Sequence, residues 1–578
     1  MGLKLTVPIF ALFFTVHLFA QGPVWDWTTN CGSSAGDKSL DVQVDSAGYV
    51  YSCGYFNGNA QFGAINFGLN WWTGRKHPFL AKQDPSGNYL WAKYGVGGAD
   101  TRALGLCVDM DDNIIVTGTY WYSCSFDSNS VSGIADHIFV VKFDPAGNVL
   151  WVITGGGNGD DHGYDVVADE NGDIYITGYL STHYGPPTCT ATFGSLPQFS
   201  YSDSIAFLGK ISTAGQWQWV RTFYGTDVSR DNDLTLDENG NVYVCGGYYG
   251  VNRVFGSAVL SSVGGRDIFV VKYDSLGNYQ WVRSVGSSYD DRANGIATGA
   301  DSKLYVTGEF RGELVFGDDT LNNNGGPGGK DIFVAKLDTA GNWLWASKAG
   351  SDKGGESGRA ITTTAAHNIF ITGQTKGNVI FGDSTISFTT NPSDSIQIFV
   401  AAIDTAGRWR WAQECGGPNE DRGYGIDADN SCKLYYCGYF SGPTATFGPT
   451  LVTSYGTKDG FTARLNVTCF DYVSDTLSGI RDPGLSQCAP FVNNLLAPNG
   501  STNVSTIRIV NRDCLTEASW KIYNILGVAV FESDDLNSEW NGKDQSGNSA
   551  PSGSYFYEIR GIDHSVPQSF TGQILLIR

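Results

Sequence analysis

Phe139-Val-Val-Lys-Phe-Asp-Pro-Ala-Gly-Asn-Val-Leu-Trp151 decides how the rest of this chain is read. Its first five residues read as a strand, Asp144 to Asn148 as a tight turn, and Val149 to Trp151 as a returning strand. The Asp side chain bonds nearby backbone N–H groups and Gly accepts positive φ, so the pair sets a hairpin. The pattern returns in Phe79 to Trp91, Phe207 to Trp219, Phe269 to Trp281, Phe333 to Trp345 and Phe399 to Trp411. Two half-copies complete it. Trp27 has the Trp strand without its partner, and Phe461 to Asn466 has the partner strand without its Trp.

The anchor tryptophans, Trp27, Trp91, Trp151, Trp219, Trp281, Trp345 and Trp411, stand 60 to 68 residues apart. A second series is an apolar run ending in Gly54, Gly118, Gly178, Gly246, Gly308, Gly373 and Gly438. A third is Phe-Gly at 62–63, 193–194, 255–256, 316–317, 381–382 and 447–448, with Phe126-Asp127 as a variant. Each series reaches seven. Repeats of this length with four short strands imply a propeller. In one repeat, strand A is Leu104 to Asp109, B is Ile114 to Tyr120, C is His137 to Asp144 and D is Val149 to Thr154. The chain opens on a lone D strand, Trp25 to Asn30, and ends its repeats on a C strand near Asn466. The expected fold is therefore all-β: a seven-bladed β-propeller closed by an N-terminal strand, followed by a small C-terminal β-sandwich. Closure pairs Trp25 to Asn30 with Phe461 to Leu465 and removes an exposed sheet edge. Each anchor Trp is expected to fill the wedge between blades, burying roughly 150–250 Å².

On Asp-x-x-Gly-Asn-x-x-Trp, and on Asp-x-x-Gly-x-x-Tyr-x-x-Gly as in Asp169 to Gly178, the repeats resemble the seven-bladed β-propeller repeat family of bacterial surface and secreted proteins. The resemblance covers residues 22–466 and implies little about activity.

Composition agrees with many short strands joined by Gly-rich turns: 75 Gly, 13% aromatic and only 16% charged residues. The formal net charge is −21 and no Lys/Arg-rich run occurs, which argues against nucleic-acid binding. Residues 1–20 read as a signal peptide, with Lys4, an apolar run from Leu5 to Phe19, and Ala20 before Gln21. No later stretch approaches the roughly 20 apolar residues of a transmembrane helix. Of twelve cysteines, Cys53, Cys245 and Cys437 share one repeat position with Thr117, Thr177, Thr307 and Thr372, and read as small packed thiols. Cys415, Cys432, Cys469, Cys488 and Cys514 are left open to pairing.

Residues 467–490 read as a linker, and 491–578 as a separate β domain. The latter resembles the type B C-terminal sorting domain of the Bacteroidetes type IX secretion system, also called the gliding-motility-associated C-terminal domain. Trp520-Lys-Ile-Tyr-Asn-Ile-Leu-Gly527, Trp540-Asn-Gly542, Pro551-Ser-Gly-Ser-Tyr-Phe-Tyr557 and the ending at Arg578 carry the likeness. The resemblance implies that Trp540, Asn541, Gly542, Pro551, Gly553, Tyr555, Tyr557 and Arg578 form the sorting signal. It also implies the type IX machinery as partner, with export to the outer-membrane surface or release. One departure is Pro498-Asn-Gly-Ser-Thr-Asn503, where the family carries acidic residues.

Two features outside the scaffold invite a functional reading. Trp71, Trp72, Trp121, Tyr122, Tyr184 and Tyr249 follow strand B in different blades and are the candidate ligand-binding residues, able to stack on sugars or anchor a protein. Packing is the alternative, since the neighbouring Tyr120 and Tyr248 share a position with Phe56 and Phe310. Acidic residues beside Arg or His recur in the D-to-A loops: Asp100 with Arg102, Asp160-Asp161-His162, Asp231 after Arg230, Asp290-Asp291-Arg292 and Glu420-Asp421-Arg422. They read either as a calcium or catalytic carboxylate ring near one mouth of the channel or as repeated structural ion pairs and turn caps, and recurrence in many blades favours the second. No nucleophile–base constellation occurs, so no catalytic residue, metal site or cofactor is expected. The function expected is an exported binding or adhesion propeller at the cell surface, with a glycan or protein ligand. The alternative is a secreted polysaccharide-active enzyme.

Overall fold

In a computed structural model, the chain divides into two compact units, Met1–Asp471 and Tyr472–Arg578. The structure describes residues 23–467 apart from 69–74, 183–187, 225–231, 383–385 and 389–394. In the second unit it describes 491–492, 509–510 and 516–576, apart from 525–527, 536–537, 539, 541–542, 545–547, 549, 551–552 and 564–565. The expected signal peptide and nearly all of the expected linker lie outside the described residues, as do Trp71, Trp72, Tyr184, Asn541, Gly542, Pro551 and Arg578.

The hairpin at 139–151 forms as its chemistry dictates. Asp144 Oδ1 accepts from the backbone N–H of Ala146 (3.0 Å) and Asn148 (2.8 Å), and Asn148 Nδ2 donates to Asp144 Oδ2 at 2.8 Å. Gly147 has φ +82°, and a Cβ there would also lie 3.2 Å from the Trp91 ring.

Seven four-stranded antiparallel units follow one plan, each in the order A-B-C-D. The first is Lys38–Val44, Val50–Asn57, Lys76–Gln83 and Tyr89–Tyr94. In the second the B and C strands lengthen to Ile114–Phe126 and Asn129–Phe143. The seventh takes Arg422–Ala428, Lys433–Ser441 and Lys458–Asn466 from late in the chain and Val24–Gly32 from its start. There Trp25 faces Leu465, Thr29 faces Thr462 and Asn30 faces Phe461, the register expected for closure. The A strands neighbour one another in a closed ring, the first lying against both the second and the seventh.

The core is shared out among the seams. One cluster joins Ile138 and Val140 of the second blade to Val166, Ile176 and Phe207 of the third; another joins Ile398 and Val400 to Tyr436 and Phe461. Because both faces of each blade are covered, the B strands are buried along their length and read as continuous apolar runs rather than alternating ones. The B-to-C connection makes a small hairpin whose first strand joins the D strand of the preceding blade, pairing Cys31 with Phe62, Gly155 with Phe193 and Ala349 with Phe381. This places the repeated Phe in the wedge.

The anchor tryptophans differ from expectation in one respect. They are half-buried, because each lies at the outer rim on the C–D turn of the next blade: Trp151 over Gly215, Trp219 over Gly277, Trp345 over Gly407. In the third and sixth blades the Trp two residues earlier goes deeper. Trp217 and Trp409, 5% and 7% exposed, fill the wedge beside Phe193 and Phe381. Cys53, Cys245 and Cys437 are fully buried thiols whose pKa burial raises well above the ordinary value. Cys432 is disulfide-bonded.

The second unit holds a four-stranded antiparallel sheet in the order Ala529–Ser533, Thr516–Asn524, Gly553–Asp563, Val566–Leu576. A short pair, Phe491–Val492 with Ile509–Val510, makes a separate two-stranded sheet. Trp520 packs on Phe531 and Trp540 on Tyr555. Trp540, Tyr555 and Tyr557, all from the expected sorting signal, are buried and serve its packing.

Candidate functional site

Three groups of residues compete for a functional reading. Trp121 and Tyr122 stack on each other in the second blade, with ring centroids 5.4 Å apart, and both are exposed. Tyr249 is exposed on the fourth blade. The described candidate aromatics therefore sit on separate blades. Tyr120 and Tyr248 are buried, their hydroxyls bonded to Thr154 and Ser284 at 2.9 Å in each case.

The loop carboxylates form a repeated frame. Asp291 accepts the N–H of Ser287 (2.7 Å) and Arg311 (2.8 Å), and Asp421 those of Gly417 (2.5 Å) and Ser441 (2.7 Å). Each ties a D-to-A loop to the end of its B strand, while burial raises Asp291 to about 6 and Asp421 to about 7. Half-buried carboxylates of the same loops make ion pairs: Lys76–Asp100 at 2.6 Å, Arg266–Asp290 at 3.5 Å, and Arg422 with Glu420. At one seam the charges invert. Asp136 stands where other C strands begin with Lys76, Arg266 or Lys330, and His162 where A strands begin with Arg102, Arg292 or Arg422. Asp136, Asp160 and His162 bring one ligand-type atom each within 4.8 Å of one another. Burial first, then the hydrogen bond to Asp160 and its charge, push Asp136 up to about 8.

The third group lines the central channel, in a cavity of about 390 Å³ to which all seven blades contribute. Its construction rests on a β-bulge. In most A strands the register against the B strand slips by one residue near its start, as between Ser39 and Asp41, Gly163 and Asp165, Gly358 and Ala360, and Gly423 and Gly425. A bulge turns successive side chains to one side. The skipped residues, Leu40, Leu104, Tyr164, Asn294, Arg359 and Tyr424, accordingly line the cavity. The scaffold repeats around the ring, whereas this position is apolar in the first two blades and aromatic, amide or cationic in the others named.

The walls are electrically unlike. Lys38, Arg102, Arg359 and Arg422, from four adjoining blades, form a cationic side. Lys38 Nζ lies 4.4 Å from the centroid of Tyr439 and 5.6 Å from that of Tyr424, and Arg359 lies 5.0 Å from Tyr424. Burial, then the charges of Lys458, Arg422 and Arg359, lower Lys38 to about 7. The other side carries Asn232, Asn294, Asp165 and Asp233. Asp233 donates a hydrogen bond to Asp165, and burial raises both carboxyls. These carboxyls also staple the ring: Asp41 accepts from Leu106 N (2.8 Å), Asp165 from Leu234 N (3.2 Å) and Asp233 from Ile296 N (2.7 Å).

Sequence reasoning passed over this site. It singled out Arg102 and Arg422 only as ion-pair partners and did not reach Lys38, Arg359 or Asn294. Alignment of the A strands was the available signal, since the variable residue lies two before the repeated apolar position of Val42, Leu106 and Val166.

Comparison with known proteins bears on the two units differently. The family described as CHU_C Type IX secretion signal domain matches residues 491–576. Such a signal implies export to the cell surface or secretion. An uncharacterized WD repeat-containing protein, L264, of Acanthamoeba polyphaga mimivirus is 25% identical over 447 residues, covering 64% of this chain and 32% of that protein. The regulatory protein FlaEY of Caulobacter vibrioides is 25% identical over 336 residues, covering 54% and 33%. The chain thus spans about a third of the length of these curated relatives. A puromycin hydrolase mutant in crystal structure is 11% identical, with TM-score 0.34, covering 71% of this chain and 59% of that one. No helix among the described residues is long and apolar enough to cross a membrane.

Proposed function

We propose that this β-propeller, which carries a type IX secretion signal domain at its C terminus, is an exported binding protein. It acts at the cell surface or after release and captures a glycan or protein ligand. In this reading residues 1–20 are a signal peptide, 22–466 the binding body, 467–490 a linker and 491–578 the sorting domain. One observation carries it: the channel-lining bulge position holds Leu, Leu, Tyr, Asn, Arg and Tyr in six blades, while the surrounding frame repeats. Selection for stability alone has no use for such asymmetry. The secreted full-length protein, applied to glycan and matrix-protein arrays, tests the reading. Blank arrays count against it. For the sorting domain, residues 491–578 are fused to a periplasmic reporter in a type IX-competent host, and a reporter that stays in the cell refutes the assignment.

A polysaccharide-active enzyme is the second reading, favoured by Asp165 and Asp233 in the same cavity. Their direct hydrogen bond is closer than the roughly 5–9.5 Å between glycosidase carboxyls. Release of new reducing ends from a polysaccharide, lost in Asp233→Asn, would favour it over binding alone.

A further inference from the structure

We propose that the channel cavity binds a carboxylated sugar: its carboxylate on the cationic wall, its hydroxyls on the amide and carboxyl wall opposite. This rests on the binding reading above and names the site and the ligand class.

The cationic wall is costly as it stands. In a chain of net charge −21, four cations converge from neighbouring blades on one cavity. Like charges in a partly desolvated site repel strongly unless an anion joins them. The internal compensation is partial. Arg102 pairs with Asp100, and Glu420 is taken by Arg422 and by the Tyr439 hydroxyl. Among the described residues no carboxylate comes within salt-bridge distance of Lys38, which rests instead on two tyrosine faces. The Nε–H groups of Arg102 and Arg422 are buried and find no acceptor among the described residues. Guanidinium donors beside an ammonium suit a carboxylate.

The opposite wall asks for donors. Asn294 is buried, and its Nδ2 donates to Gly358 O at 2.8 Å and Ser357 Oγ at 3.1 Å. Because Gly358 offers a carbonyl, the amide orientation is fixed. Oδ1 is then left without a donor among the described residues. Such a buried acceptor is destabilising unless a hydroxyl or water reaches it. Beside it, the carboxyl oxygens of Asp165 and Asp233 offer further acceptors to sugar hydroxyls. A plain carboxylate would satisfy one wall and a neutral sugar the other. A sugar acid satisfies both, and the cavity of about 390 Å³ is of the size of a small-ligand site.

The test titrates the full-length protein calorimetrically with galacturonate and glucuronate, and with galactose, glucose and acetate as comparators. The sugar acids should bind at least 10-fold tighter than any comparator. Lys38→Met and Arg359→Gln should each weaken them 10-fold or more. Asn294→Ala should weaken the sugar acids and leave any acetate binding unchanged. Leu150→Ser, on the exposed outer edge, should change nothing, and a thermal midpoint near that of the parent certifies the fold of each variant. Oligouronides distinguish a chain end from a free sugar acid as the source. Acetate binding as tight as galacturonate, or sugar-acid binding indifferent to Lys38→Met and Arg359→Gln, overturns the inference. If the arrays report a ligand whose capture these variants leave intact, the binding reading survives and this site assignment falls. Blank arrays with no sugar-acid binding sink both.

Discussion

The indole Nε1 of Trp345 donates to the carbonyl of Thr405, 2.8 Å away on the next blade. Trp151 does the same to Thr213 at 3.1 Å, Trp281 to Thr339 at 3.1 Å, and Trp27 to Pro85 at 3.2 Å. The acceptor in each case belongs to a C–D turn. Trp411 faces the one blade whose C and D strands come from opposite ends of the chain, so it has no such turn, and its Nε1 finds no acceptor among the described residues. At Trp27, Trp151, Trp281 and Trp345 the anchor motif is therefore a clasp between blades, and at Trp411, where the ring is sewn shut, it is missing among the described residues. Trp345→Phe should cost about 1 kcal/mol, the worth of a hydrogen bond. Trp411→Phe should cost less than half of that. Chemical denaturation of both variants measures the difference, and equal losses would remove the clasp as the explanation.

Closure by Val24–Gly32 makes a second demand on stability. Arg464 pairs with Asp26 and lies over the Trp27 ring, and Gln413 donates to Pro23 O at 2.9 Å. Without this strand, Lys458–Asn466 becomes an open edge. A chain starting at Ser33 should lose roughly 10 °C or more of thermal stability, and an added peptide of residues 22–33 should recover part of it. Unchanged melting of the shortened chain would show that the ring does not depend on its last strand.

Asp136 and Asp160 form the inverted seam, and its pH behaviour follows from sign. The folded-state pKa of Asp136 is raised from 3.8 to about 8. Its contribution to stability is whole below about pH 4 and is lost progressively as pH rises to about 8. Asp136→Asn should flatten the fall of the melting temperature between pH 5 and 8. Asp136→Lys restores the pairing that Lys76 makes with Asp100 and should gain about 1 kcal/mol at pH 8. Melting curves at pH 5, 6.5 and 8 decide this; an Asp136→Lys protein that melts below the parent at pH 8 contradicts it.

What was legible in the sequence was local and repeated. Asp144, Gly147 and Trp151 do their work within one hairpin and its neighbour, so counting them recovered the blades and the closing strand. In the C-terminal unit Trp520, Trp540 and Tyr555 carry both the likeness and the packing. The anchor tryptophans were placed one layer too deep, because spacing alone does not say that Trp409, not Trp411, fills the wedge. The channel was hidden for a different reason. A bulge breaks the two-residue alternation by which a strand's facing is read, and the cavity gathers Lys38, Arg102 and Arg422 from across nearly the whole propeller sequence.

Lys38 offers the last measurement. Burial and the charges of Lys458, Arg422 and Arg359 lower it to about 7, Glu420 opposes them, and the rings of Tyr424 and Tyr439 face it. An anion bound beside it would favour the ammonium form and draw a proton from solution. With a free-state value near 7, about half a proton should be taken up per galacturonate bound at pH 7, and more at pH 8. Affinity should fall by up to about 10-fold per pH unit above 7. Lys38→Arg stays charged throughout, so it should keep the binding and lose the pH slope. Calorimetry in buffers of different ionisation enthalpy reads the proton directly. A binding enthalpy independent of buffer at pH 7.5 would mean that Lys38 does not meet the carboxylate.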